Sequence, residues 1–118
     1  MHRQDLPPPP VPQRLREMLA EYPGHIVRLQ QALDRFASIP SAGVGPFDQV
    51  IWTLEGLLET FFHEASEDLE KAQASGDTER ISAAKTTLDI MSRAFWKHVW
   101  IGDEALYEYI QKYKDVLQ

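Results

Sequence analysis

Residues 46–101 hold two long stretches in which apolar side chains recur every three or four positions, separated only by Ser75-Gly76-Asp77-Thr78. This spacing leaves little choice of fold. In the first stretch Ile51, Leu54, Leu58, Phe61, Ala65, Leu69 and Ala72 fall on one face of a helix, and Val50, Leu57 and Phe62 widen it. A strand would need apolar and polar residues to alternate with a period of two, and they do not. Pro46 suits a first helical position, and Asp48 sets a negative charge near the positive end of the helix dipole. In the second stretch Ile81, Ala84, Leu88, Met91, Phe95 and His98 keep the same rhythm. Gly76 can adopt the left-handed conformation that ends a helix, and Asp77 can accept hydrogen bonds from the first turn of the next. A connection this short makes the arms antiparallel neighbours. The expectation is an antiparallel helical hairpin over about 46–74 and 78–101, each arm roughly 35–40 Å long at ~1.5 Å per residue.

The flanking segments are expected to cover that hairpin. Leu6-Pro7-Pro8-Pro9-Pro10-Val11-Pro12 fixes φ and removes backbone donors, so residues 1–11 read as a polyproline II arm. Pro9-Pro10-Val11-Pro12-Gln13-Arg14 fits the proline-plus-basic form that SH3-type grooves accept, but a stiff leader packed on, or trailing from, the first helix is the preferred reading. From Pro12 to Ile39 an apolar stripe continues through Pro23-Gly24. Proline inside a helix costs ~3 kcal/mol, so a broken helix over about 12–37, restarting at Pro23, is expected. Residues 38–46 read as a connector. Gly102-Asp103-Glu104 reads as a helix stop, an N-cap and an acidic first turn, opening a C-terminal helix over about 103–117. The fold class is therefore all-α: a small helical bundle in which a single domain, 12–118, follows the proline-rich arm.

Composition excludes several function classes. With 25% charged and 43% hydrophobic residues the chain resembles an ordinary soluble globular protein, and it holds no apolar run near the ~20 residues a membrane helix needs. The polar, proline-rich N-terminus does not read as a signal peptide. The absence of cysteine removes disulfides, thiolate catalysis and cysteine-bound metals, and fits a reducing cytoplasm. A net charge of −6 argues against direct contact with nucleic acid, which needs clustered Lys and Arg. No catalytic or cofactor motif is present.

Three groups of residues are candidates for function. Glu55, Glu59 and His63 recur every fourth position on the first arm, and antiparallel pairing about Gly76 sets His98 level with Glu55. Carboxylates and imidazoles between helices could hold a divalent metal. The Glu-x-x-His spacing of helical di-iron sites is absent, however, and a polar rim with incidental ion pairs is the preferred reading. His98 itself falls on the apolar seam, where a core histidine bonded to Glu55 is expected. Glu64, Glu67, Asp68 and Glu70 approach the hairpin tip and could dock a basic protein or mimic nucleic-acid phosphates; a solvated helix end is the plainer account. The aromatics carry most weight. Trp52, Trp96, Trp100 and Tyr107 exceed what one hairpin face can hide, and such residues favour interface centres. The sequence thus points to a non-catalytic protein–protein interaction or regulatory module, expected to be a homodimer. A metal-binding protein and an acidic mimic stand as the alternatives.

Overall fold

The computed structural model describes residues 5–39 and 45–117, and within them the only regular secondary structure is helical. Helix α1 spans Gln13–Met18, α2 Pro23–Ser38, α3 Pro46–Ser75 and α4 Thr78–Phe95. A 3-10 turn at Lys97–Val99 leads into α5 (Glu104–Lys112) and α6 (Lys114–Leu117). Residues 1–4 of the proline arm and 40–44 of the connector lie outside the described residues.

The centre is the α3–α4 hairpin. Gly76 has φ 71°, the left-handed value that closes α3, and its N–H donates to the Gln73 carbonyl at 3.2 Å. The Asp77 carboxylate accepts from the N–H groups of Glu79 and Arg80 at 3.0 and 3.4 Å, capping α4. The arms are unequal. With 30 residues in α3 and 18 in α4, their lengths are roughly 45 and 27 Å at ~1.5 Å per residue, not the similar arms that the apolar spacing suggests.

The second arm stops at Phe95 instead of running to 101. Trp96 has ψ 107°, and Trp100 swings inward until it is 1% exposed. Its indole N–H donates to the Ala94 carbonyl at 3.1 Å, an oxygen that in a continuing helix would accept the N–H of residue 98. Burying a large ring while satisfying both polar groups compensates for the lost turn. A break at Pro23 is present as the sequence suggests: Tyr22 leaves the helical conformation and Pro23 opens α2. The C-terminal helix is itself interrupted at Tyr113, where α5 ends and α6 begins.

A single buried cluster joins all of these pieces. Leu15 from α1 and Leu19 just after it, Leu29 and Leu33 from α2, Leu54, Leu58 and Phe61 from α3, and Leu106 and Ile110 from α5 meet in it. The proline arm belongs to the same core. Val11, Pro9 and Pro12 are buried, and Leu6 packs against the cluster. Prolines present carbonyls without N–H groups, so the arm needs only donors. Gln30 Nε2 donates to the Pro9 carbonyl at 2.8 Å, and the Tyr109 hydroxyl donates to the Pro7 carbonyl at 2.6 Å. A groove-binding peptide would need its prolines free. Here Pro9 and Pro12 are buried and Pro10 is half-buried, and Gln13 and Arg14 are already in α1. The whole measures 55 × 23 × 21 Å, with residues 73–80 at the hairpin tip exposed throughout.

Candidate functional site

The residues that reach solvent with large apolar side chains define the candidate surface. Trp52 is 60% exposed, Trp96 56%, Tyr107 51% and Ile101 36%. Trp52 lies on the side of α3 away from Leu54 and Leu58, two turns before Glu59 on the same flank. Trp96 stands outside because α4 ends one residue earlier; its ring lies 5.7 Å from that of His98, inclined by 31°. The Tyr107 ring meets Phe47 edge-on at 5.8 Å. Along the axis of α3 the order is therefore Phe47 with Tyr107, then Trp52, then Glu55 paired with Lys97, then Phe62 beside Phe95 and Trp96.

Trp100 does not belong to this surface. In a continuous helix Trp96 and Trp100, four residues apart, would share a face. The break after Phe95 sends them to opposite sides, one to solvent and one to the core. Two depressions flank the row. One, of about 430 Å3, is lined by Ile101, Gly102, Glu104, Tyr107 and Glu108. The other, of about 380 Å3, is lined by Glu59, Phe62, His63, Ser92, Phe95 and Trp96. Val27 and Ile39, 54% and 50% exposed, are further apolar groups in solvent that the sequence did not single out.

The metal constellation does not assemble. Glu59 Oε1 and His63 Nε2 are 3.6 Å apart, both exposed, whereas Glu55 pairs with Lys97 Nζ at 3.4 Å. His98 is exposed on the 3-10 turn, not on the apolar seam, because the helix that would have carried it inward has ended. Among the described residues no three His, Asp or Glu side chains converge on a position for a metal ion.

The acidic group also divides. Glu67, Asp68 and Glu70 are exposed. Glu64 is held by Arg28 through contacts of 2.8 and 3.2 Å, and the guanidinium lies 4.7 Å from the centre of the Phe61 ring. That hydrogen bond holds the Glu64 carboxyl below its ordinary range. His25, which carries no sequence signal, joins the same cluster, its ring 4.3 Å from that of Phe61. Burial and then the Arg28 charge lower its pKa, against a smaller upward pull from Glu64. Only the packing of α2 on α3 brings these four residues together.

Among the described residues no helix is long and apolar enough to cross a membrane. The chain matches no protein-family model, no curated protein and no solved structure.

Proposed function

We propose that this protein is a non-catalytic helical module of the cytoplasm that binds other proteins, and that it self-associates as a homodimer through the flank carrying Trp52, Trp96 and Tyr107. The single observation behind this reading is the exposure of those three rings, each more than half in water. Solitary apolar residues on a surface need no explanation, but three large aromatics left in water by α3, the end of α4 and α5 are the residue type that interfaces concentrate. The size of the body is compatible. A side of 55 by 23 Å exceeds the roughly 800 Å2 per partner that a stable interface of ordinary size buries. In a two-fold dimer the same row would meet itself, so each ring could serve both copies.

Sedimentation velocity on the full chain over the micromolar range tests this directly. The expected species is a dimer, converted to monomer by the double substitution Trp52→Ser with Trp96→Ser while the helical circular dichroism is unchanged. A wild-type monomer throughout that range would end the dimer reading. A double variant that still dimerises would move the contact elsewhere.

A further inference from the structure

The 380 Å3 hollow between α3 and the end of α4 has a chemical character of its own. Three aromatic rings, Phe62, Phe95 and Trp96, line it together with Glu59, His63 and Ser92. The Phe62 and Phe95 rings are 6.3 Å apart and tilted by 49°, so neither covers the face of the other. The His98 ring lies 5.7 Å from that of Trp96, inclined by 31°.

The charges nearby are unequal. Lys97 is engaged by Glu55 and Arg93 by Asp89, the latter at 2.7 Å, which leaves the Glu59 carboxylate, among the described residues, with the imidazole of His63 at 3.6 Å. An anion would face both that carboxylate and the negative faces of the rings. A metal ion would find too few donors. A neutral apolar group would gain from the rings alone. A cation that is large, soft and weakly hydrated gains from both the rings and the carboxylate, and gives up little hydration on entry. The volume lies at the lower end of the range for small-molecule sites.

We propose that this hollow binds a small quaternary ammonium ion of the choline class, its methylated head set among Phe62, Phe95 and Trp96 with Glu59 as counter-charge. The site shares Trp96 with the association flank but needs no second chain.

The test is a titration of isotope-labelled full-length protein with choline chloride at constant ionic strength, followed through the indole N–H signals. There are 3 tryptophans, and the Trp96 signal is assigned by its loss in Trp96→Phe. The Trp96 signal is expected to move saturably at millimolar choline while those of Trp52 and Trp100 stay in place. The neutral carbon analogue, in which a tert-butyl group replaces trimethylammonium, is expected to bind about fivefold more weakly, and Glu59→Gln to weaken choline by a similar factor of about five. No saturable movement, equal binding of choline and its carbon analogue, or an unchanged affinity in Glu59→Gln would each overturn the proposal. Trp52→Ser and Tyr107→Ser lie outside the hollow and should weaken association without lowering choline affinity. A monomer that binds choline would therefore refute only the dimer, and a dimer indifferent to choline only this site.

Discussion

Asp103 holds two helices with one carboxylate, and replacing it should expose the arrangement quantitatively. Its Oδ1 accepts the Leu106 N–H at 2.8 Å, the local cap of α5. Its Oδ2 accepts the Gln13 N–H at 2.9 Å, at the first residue of α1, 90 positions away. Both donors belong to first turns, where no partner exists inside the helix. Loss of one such cap typically costs about 1 kcal/mol, so Asp103→Ala should lose about 2 kcal/mol. At about 4 °C per kcal/mol for a domain of this size, the melting temperature should fall by about 8 °C. An amide has a single acceptor oxygen, so Asp103→Asn should keep one bond and lose about 1 kcal/mol. Gln13→Pro deletes the remote donor while suiting a first helical position, and Pro12, at φ −50° and ψ 133°, already has the extended backbone that a following proline requires. In the Gln13→Pro background Asp103→Asn should cost close to nothing, because the one remaining acceptor still serves Leu106. Urea unfolding followed by circular dichroism, arranged as a double-mutant cycle, measures this. If the two costs simply add, the carboxylate is not shared and the reasoning fails.

Two further outcomes follow from the packing. Trp100→Ala should destabilise by about 3–5 kcal/mol, as expected for a large ring removed from a core, while Trp96→Ala should stay within about 0.5 kcal/mol; the same unfolding assay decides, and comparable costs would contradict the break at Phe95. Stability should also fall on acidification. The folded state lowers the His25 pKa from 6.5, so the contribution of the neutral imidazole is complete above that value and is lost as pH falls through it towards the folded pKa. Glu64, lowered from 4.5, adds a second loss at more acid pH, as the carboxylate held by Arg28 is protonated. Urea midpoints compared between pH ~7.5 and ~5 should drop in the wild type and drop less in His25→Gln; equal slopes would remove His25 as the cause.

The helices that could be read from the sequence are those whose instructions are local. Gly76 and Asp77 end one helix and cap the next through atoms within three residues, so the hairpin turn needs no distant partner. Pro23 acts in the same way, by its own ring. Asp103 was legible as the cap of α5 but not as the cap of α1, because the Gln13 N–H reaches it only after the chain has folded. His98 and Trp100 were misplaced together. Helical spacing assumes that the helix continues, and it stops where Trp100 gains more from the core than the last turn could supply.

From the amino-acid order alone came the helical class, the antiparallel pair, the break at Pro23 and the surplus of aromatic surface, since period, turn chemistry and composition are properties of neighbours along the chain. Tertiary structure alone decided which tryptophans face water, that the proline arm is bound by Gln30 and Tyr109, that His25 comes near Arg28 and Glu64, and that Phe62, Phe95 and Trp96 line an open hollow with Glu59. Each of these depends on where one helix lies against another. That geometry is set by the competition of all apolar side chains for one core, and no short stretch of sequence contains it.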